Sequence, residues 1–215
     1  MTPEQPEWSR TRDELVSAIK ELGFQEELGA EIAKILGSPK AMRLFIAIQF
    51  PDRIKHALSY LQQDMMDCGL KGNYTKDENL HLTLAFIGEY NNPDEVLDAL
   101  ETLDFESFFI ELDGFGNFGD LYWAGIKENE ELIKLVKRIR RVLSGNRIPF
   151  DRKRFAPHIT VLRKASFAGN PDSFKIYVPD EALKVERISL MRSDRGKNGM
   201  RYTEIGSVYS SGSVR

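Results

Sequence analysis

Two of the three histidines in the chain begin the same four-residue pattern, in which histidine is followed by an apolar residue, threonine and a second apolar residue. The pattern reads His81-Leu82-Thr83-Leu84 in the first half of the chain and His158-Ile159-Thr160-Val161 in the second. Imidazole has an unperturbed pKa of about 6.5, so histidine can donate or accept a proton near neutral pH. The repeated pattern predicts one site built from two similar halves, with an acid on one side and a base on the other.

Both patterns are predicted to lie on β-strands, where residues i and i+2 point to the same side. His81 and Thr83 therefore project together, and the opposite, helix-covered face is predicted to carry Leu80, Leu82, Leu84 and Phe86. His158 and Thr160 repeat the arrangement. Because burying polar groups without partners is costly, the two pairs are predicted to line a wet cleft.

Other chemistries fit the residue pattern less well. A single His-x-Thr is typical of a half-buried strand histidine, but two copies at corresponding positions favour a site. Zinc requires three or four ligands, and His56 and Cys68 have no ligand-like spacing to either pattern, so no metal is expected. No serine or cysteine lies in a glycine elbow, and no glycine-rich phosphate or dinucleotide motif is present. We therefore expect neither a nucleophilic triad nor a cofactor.

The distribution of charge favours an anionic substrate. The chain of 215 residues has a formal net charge of −3, but residues 134–164 contain eleven Lys and Arg and a single acid, Asp151. Arg192, Arg195, Lys197 and Arg201 form a second basic cluster. Such runs usually form solvated helix faces and loops. Here the basic stretch leads directly into His158, which indicates a substrate such as a phosphate ester.

Metal-free phosphoryl chemistry is the reaction that these residues could carry out. One imidazole would remove a proton from an attacking water, and the other would protonate the departing oxygen on the far side of phosphorus. The threonine hydroxyls would bind the non-bridging oxygens, where charge concentrates in the transition state. Two lobes with one His-Thr pair each would supply the opposed geometry that in-line displacement requires.

The elements that would position these residues alternate between strands and helices from residue 42 onwards. Amphipathic spacing predicts three helices, which begin after Pro51, at Asn92-Pro93 and at Glu131. Apolar alternation predicts strands over 43–50, 80–87, 108–112, 121–126, 158–162, 174–178, 184–190 and 202–208. Interleaved strands and helices in two comparable halves predict an α+β fold with two lobes.

Residues 1–40 are predicted to form a separate N-terminal helical hairpin, which Gly37-Ser38-Pro39 ends. The hairpin is too small to bury a core, so it would pack on the catalytic domain, residues 41–215, or on a protein partner. No apolar run approaches the roughly 20 residues that cross a bilayer, and the acidic N-terminus is unlike a signal peptide. With Cys68 as the only cysteine, these features predict a cytoplasmic protein without membrane contact.

The residues around both patterns resemble the 2H phosphoesterase superfamily, which is defined by two His-x-Thr/Ser motifs. The resemblance is strongest to the RNA 2′,3′-cyclic phosphodiesterases, also called 2′-5′ RNA ligases, and covers roughly residues 42–208. It rests on four stretches, MRLFIAI (42–48), NLHLTLAFIGE (79–89), LYWAG (121–125) and FAPHITVLR (155–163). It implies two pseudo-symmetric antiparallel-sheet lobes with outer helices and a central cleft. It also implies metal-free opening of a 2′,3′-cyclic phosphate to a 2′-phosphate.

The resemblance also implies roles for individual residues of the two motifs. His81 would be the proton donor and His158 the proton acceptor, and the reverse assignment stays open. Thr83 and Thr160 would bind the phosphate. Arg163 matches an arginine that commonly follows the second motif and would neutralise the phosphate, with an exposed strand-end arginine as the alternative.

Aromatic residues near the predicted cleft are candidates for contact with a nucleobase. Phe45 and Phe155 match such positions, and core packing is the alternative for each. Tyr202 and Arg192 are weaker candidates. The expected substrates are RNA ends or nucleoside 2′,3′-cyclic phosphates. The alternatives are a 2′-5′ RNA ligase or tRNA-binding and processing module, and a phosphodiesterase for 2′-5′ oligonucleotides or another small phosphoester.

Overall fold

The computed structural model describes residues 41–167, 176–197 and 199–211, together with residues 20, 21 and 23. Apart from those three positions, the helical hairpin predicted over residues 1–40 lies outside the described residues. The same holds for residues 174 and 175 of the strand predicted over 174–178. The remainder of that prediction is wrong, because residues 176–178 belong to no strand.

Nine strands and three α-helices follow one another in the described part of the chain from residue 41 onwards. The helices are α1 (Asp52–Asp67), α2 (Pro93–Glu101) and α3 (Glu130–Gly145). The strands are β1 (Met42–Gln49), β2 (Lys71–Tyr74), β3 (His81–Tyr90), β4 (Phe108–Phe118), β5 (Leu121–Ile126), β6 (His158–Ser166), β7 (Ala182–Val185), β8 (Arg187–Gly196) and β9 (Gly199–Tyr209).

The strands form two antiparallel sheets, and each sheet carries one of the two His-x-Thr patterns. The first sheet has the order β3-β1-β8-β9, so His81 begins an edge strand. The second sheet has the order β2-β6-β5-β4-β7, and His158 begins β6. The sheets meet where β3 contacts β6. The predicted α+β fold with two antiparallel lobes is confirmed.

The lobes differ from the two halves of the sequence, because the chain passes between them more than once. After β1, the chain leaves the first sheet and forms β2, which pairs with β6 in the second sheet. After β7, the chain returns to the first sheet as β8 and β9. The single strand predicted over 184–190 is therefore wrong. It divides at Glu186 into β7, which pairs with β4, and β8, which pairs with β1.

The helices cover the sheets with apolar faces that follow the helical repeat. α1 buries Ile54, Leu58, Leu61 and Met65, and α3 buries Leu132, Leu135, Val136, Ile139 and Leu143. The side chain of Asn129 accepts a hydrogen bond from the Leu132 amide at 2.9 Å and thereby caps α3. No helix within the described ranges is long and apolar enough to cross a membrane.

Candidate active site

Alternation along β3 and β6 directs both His-Thr pairs away from the core, as predicted. Leu82 and Leu84 are at most 1 % exposed, whereas His81 and Thr83, which alternate with them, are half-buried. On β6, His158 and Thr160 are half-buried and are backed by the fully buried side chains of Ile159 and Val161. The apolar residues anchor each strand in the core, and the polar residues lie on the opposite face of the strand.

One side-chain direction on β3 differs from the prediction. The pairing of β1 with β3 shifts register twice, between Leu44 and Phe45 and between Ile46 and Ala47. Each irregularity reverses the direction of the residues that follow, so Ala85 is buried and Phe86 lies on the same side as Thr83. The prediction that Phe86 faces the helices is therefore wrong.

The second motif is held in place by a buried glutamine of α1. Gln62 is 5 % exposed, and its Nε2 donates to the carbonyls of Val161 and Thr75, each at 2.8 Å. The Thr75 amide donates to the same Val161 carbonyl at 2.9 Å. These bonds satisfy the backbone of β6 beside Thr160 and connect the second motif to the helix that packs behind it.

The two histidines make the same hydrogen bond to their own backbone. Nδ1 of His81 lies 2.7 Å from the carbonyl oxygen of Asn79, and Nδ1 of His158 lies 2.7 Å from that of Ala156. A carbonyl oxygen can only accept, so Nδ1 is the protonated nitrogen in both rings. Each Nε2 is then the atom available for proton transfer.

The surroundings of His81 favour its neutral form. Phe45 and Tyr202 contact the imidazole with ring centroids 4.9 and 5.1 Å away, and Nε2 lies 3.0 Å from Oγ1 of Thr83. Burial lowers the pKa of His81, the bond to the Asn79 carbonyl opposes this, and the nearby charges of Arg163 and His158 lower it further. This charge effect crosses from one sheet to the other and connects the two motifs.

The surroundings of His158 are more open. Its ring meets that of Phe118 edge-on, with centroids 5.4 Å apart and planes at 89°. On the neighbouring strand β5, Gly125 pairs with His158 and Trp123 pairs with Thr160. Thr160 Oγ1 accepts a hydrogen bond from Nη2 of Arg163 at 3.4 Å. Arg163 is exposed. Its guanidinium contacts the motif threonine, and its charge lowers the pKa of His81.

A family model described as the 2′-5′ RNA ligase superfamily matches residues 50–197 of the chain. The chain belongs to this superfamily. A Thermotoga maritima protein named RNA 2′,3′-cyclic phosphodiesterase is 32% identical over 148 residues, which are 65% of this chain and 77% of the relative. An Aeropyrum pernix protein of the same name is 28% identical over 74% of this chain and 97% of its own length.

Solved structures agree with this assignment. Escherichia coli LigT complexed with 3′-AMP has a TM-score of 0.67 to this chain and is 25% identical, over 80% of this chain and 99% of LigT. The structure of TT0787 of Thermus thermophilus has a TM-score of 0.64 and is 28% identical, over 78% and 97% of the two chains. The resemblance to the 2H phosphoesterases in the sequence is therefore confirmed.

In this member of the 2′-5′ RNA ligase superfamily, the remaining candidate residues lie in different surroundings. Phe45 is only 3 % exposed and packs beside His81, and Phe155 is half-buried against the main core. Tyr202 contacts the imidazole of His81, whereas Arg192 forms an ion pair with Asp194 at 2.8 Å. The base-stacking roles of Phe45 and Phe155 stay predictions.

Sequence reasoning missed the polar side chains that adjoin His81 on the superfamily's first sheet. Gln49 pairs directly with His81, and its Nε2 donates to Oγ of Ser189 at 3.0 Å and to the carboxylate of Glu204. Burial alone would raise the pKa of Glu204, but hydrogen bonds from Ser207 and Gln49 outweigh it and lower the pKa. Because the contributing strands are far apart in sequence, no local pattern predicts this network.

Proposed function

We propose that the protein is an RNA 2′,3′-cyclic phosphodiesterase that opens a 2′,3′-cyclic phosphate to a 2′-phosphate. The Thermotoga maritima and Aeropyrum pernix relatives carry this name, and the chain is, as predicted, an enzyme that hydrolyses phosphoric ester bonds. The proposal that two histidines open the cyclic phosphate rests on the matching hydrogen bonds of His81 and His158. Each ring holds its Nδ1 proton on a backbone carbonyl and leaves Nε2 for the substrate.

In the proposed reaction, Nε2 of neutral His158 takes a proton from water as the water oxygen attacks phosphorus. The bond from phosphorus to O3′ breaks, and the imidazolium of His81 donates its Nε2 proton to O3′. One water is consumed, and a 2′-monophosphate is left. The two imidazoles belong to strands of different sheets, an arrangement that would suit in-line displacement. The reverse assignment of the two roles would use the same atoms and give the same product.

A bound phosphodiester would help His81 to act as the acid. In the free protein, burial and the charge of Arg163 lower the pKa of His81 and disfavour its imidazolium, and protonation of His158 would lower this pKa further. A phosphodiester anion between the sheets would offset these positive charges and stabilise the protonated ring. The proton would then be held by a group with a low intrinsic pKa, which releases it readily to the leaving oxygen.

The threonines and Arg163 are proposed to bind the non-bridging phosphoryl oxygens. Thr83 Oγ1 lies beside Nε2 of His81, so one oxygen of the substrate could contact both groups. Thr160 Oγ1 already accepts from Arg163, which leaves the hydroxyl proton of Thr160 for a phosphoryl oxygen. Donors aimed at developing charge are typically worth about 10²–10³ in rate.

The loop that precedes His158 supports an RNA end as the substrate. Arg152, Lys153 and Arg154 are all exposed on it. The amide of Asp151 donates to the Phe86 carbonyl on β3 at 2.8 Å, so the loop starts at the first lobe and ends at the second motif. Lys153 forms an ion pair with Asp151 at 3.4 Å, so Arg152 and Arg154 are the cations that would attract the phosphates preceding the cyclic end of an RNA strand.

The proposed catalytic domain is residues 41–215, and residues 1–40 are proposed as an appended segment that packs on it or binds a protein partner. An RNA substrate would place the enzyme in the cytoplasm. Within the described residues, no group of three or more His, Cys, Asp and Glu is arranged to hold a metal ion. The proposed acid/base chemistry assigns every proton transfer to the two imidazoles.

The proposal is tested by the product formed from 2′,3′-cyclic AMP in the presence of EDTA. We expect adenosine 2′-monophosphate, which ion-exchange chromatography separates from the 3′-isomer. Formation of the 3′-isomer would contradict the proposed leaving group. Absence of hydrolysis, or activity that EDTA abolishes and a divalent metal restores, would contradict the metal-free mechanism.

A further inference from the structure

An exposed aromatic ring lies directly beside the second motif. Phe118 is the last residue of β4, and the tight turn that follows contains Gly119 at a φ of 64°. The side chain of Phe118 is 52 % exposed. Burial of apolar surface is the main stabilising term in folding, so a phenylalanine left half in water adds little to the core. Phe109 on the same strand is also exposed, so the feature that distinguishes Phe118 is its contact with His158.

Two aromatic side chains contact the ring of Phe118. The ring centroid lies 5.4 Å from that of Trp123, with 36° between the planes, and 5.4 Å from that of His158 in an edge-on contact. Trp123 pairs with Thr160 on β6, so the support of Phe118 belongs to the strand pair that carries the second motif. A ring supported in this way is pre-organised to receive a planar ligand.

The aromatic residues on the other side of the cleft do not offer such a surface. Phe45 and Tyr202 contact His81, but Phe45 is 3 % exposed and Tyr202 is half-buried. Within the ranges that the structure describes, Phe118 is the aromatic residue that both contacts a motif histidine and is more than half exposed. Phe118 therefore offers a planar ligand more accessible ring surface than Phe45 or Tyr202 does.

We infer that Phe118, supported by Trp123, is the platform on which the nucleobase of the cyclic nucleotide stacks; this inference rests on the proposed function. Only the ribose separates phosphorus from the base in a nucleoside 2′,3′-cyclic phosphate. A ring in contact with His158 is therefore within reach of the base when the phosphate lies against Nε2. Every base has a π-face, so such a platform selects nucleotides over other cyclic phosphates without strong preference among bases.

The inference is tested by Phe118→Ala on two substrates, 2′,3′-cyclic AMP and the base-free methyl riboside 2,3-cyclic phosphate. We expect KM for the nucleotide to rise about tenfold, within the range of base–aromatic stacking, with kcat unchanged. The base-free substrate should be hydrolysed equally by both proteins. Phe118→Trp should restore the nucleotide KM. Phe109→Ala is the matched control, because Phe109 lies on the same strand and is 61 % exposed.

Equal losses on both substrates would show that Phe118 only orients His158, and this would overturn the inference. An unchanged KM for the nucleotide in Phe118→Ala would also overturn the inference. If that variant fails to fold, Phe118→Leu takes its place in this comparison. If the wild-type protein hydrolyses neither substrate, the proposed function fails and binding decides the inference. Calorimetry should then show that the wild type binds adenosine 2′-monophosphate about tenfold more tightly than methyl riboside 2-phosphate. A variant that keeps this preference would refute the platform.

Discussion

The imidazole of His81 lies edge-on to the ring of Tyr202, with the two centroids 5.1 Å apart and the planes at 87°. Phe45 contacts both rings, at 4.9 Å from His81 and 5.1 Å from Tyr202. Two aromatic residues from β1 and β9 therefore restrict the tilt of the imidazole, and the bond from Nδ1 to Asn79 restricts its rotation. The orientation of Nε2 depends on both kinds of contact.

Replacing Tyr202 tests whether ring contacts orient His81. We expect Tyr202→Leu to lower kcat for 2′,3′-cyclic AMP about tenfold with little change in KM, because a small misplacement of a catalytic group is costly in rate. Tyr202→Phe keeps the ring and should retain nearly full activity. Steady-state kinetics on both variants provide the measurement. If Tyr202→Phe is as impaired as Tyr202→Leu, the hydroxyl rather than the ring is responsible.

Burial of His81 predicts a specific loss of stability in mild acid. Burial lowers the pKa of His81 in the folded protein, whereas the unfolded chain keeps a value of about 6.5. Below pH 6.5 the unfolded state binds this proton first, so the free energy of unfolding decreases until the pH passes the folded pKa.

Urea denaturation at pH 7.5 and pH 5.5 checks this sign. His81→Gln should lose less stability between the two values than the wild type, since the titrating group is gone. His56→Gln, which changes an exposed histidine on α1, is the control and should behave as the wild type does. The interval lies above the range in which Glu204 titrates. An equal decrease in the free energy of unfolding in the wild type and His81→Gln would contradict a lowered pKa of His81 in the folded protein.

A glycine beside His158 leaves no room for a side chain. A Cβ at Gly125 would lie 2.4 Å from the backbone oxygen of Asp113 and 3.2 Å from the ring of Trp123. We expect Gly125→Ala to destabilise the protein by about 1–3 kcal/mol, as overpacking typically does, and to lower activity, because Gly125 pairs with His158. Gly145→Ala at the end of α3 meets nothing within 4 Å and serves as the control in chemical denaturation. Similar stability of the two variants would argue against the close contact.

The exposed basic residues of the loop that precedes His158 predict a difference in KM between RNA ends and mononucleotides. Arg152→Ser combined with Arg154→Ser should raise KM several-fold for an oligoribonucleotide that ends in a 2′,3′-cyclic phosphate, and leave KM for 2′,3′-cyclic AMP unchanged. The slope of log affinity against log salt should decrease by roughly 1.4 for two lost phosphate contacts to a single strand. Lys134→Ser removes a charge paired with Glu131 on α3 and is the control. An equal change in KM for both substrates would contradict the proposal that RNA binds to this loop.

The faces of the motif strands and the main helices were predictable because each follows a simple period. Leu82 and Leu84, like Ile159 and Val161, alternate with polar residues and are buried as expected. The direction of Phe86 was not predictable, because it depends on irregular pairing with β1 rather than on the pattern of β3. Tertiary pairing therefore overrides the local period at this position.

Strand β2 and the histidine partners show two further limits of sequence reasoning. β2 consists of Lys71, Gly72, Asn73 and Tyr74 and has no apolar alternation, so only its pairing with β6 makes it a strand. The oxygens that orient the imidazoles are backbone carbonyls, which any residue type supplies. No residue identity at positions 79 or 156 could therefore have predicted these bonds.

The central claim is that His81 and His158 act together as acid and base on one phosphodiester. Its most direct test is single-turnover hydrolysis of 2′,3′-cyclic AMP in EDTA by the wild type, His81→Gln, His158→Gln and the double variant. We predict that each single variant loses about 10²–10⁴ in rate, as expected for a general acid or base. The double variant should lose much less than the product of the two, because the residues act as a unit. A single variant that retains a tenth or more of the wild-type rate would contradict the claim.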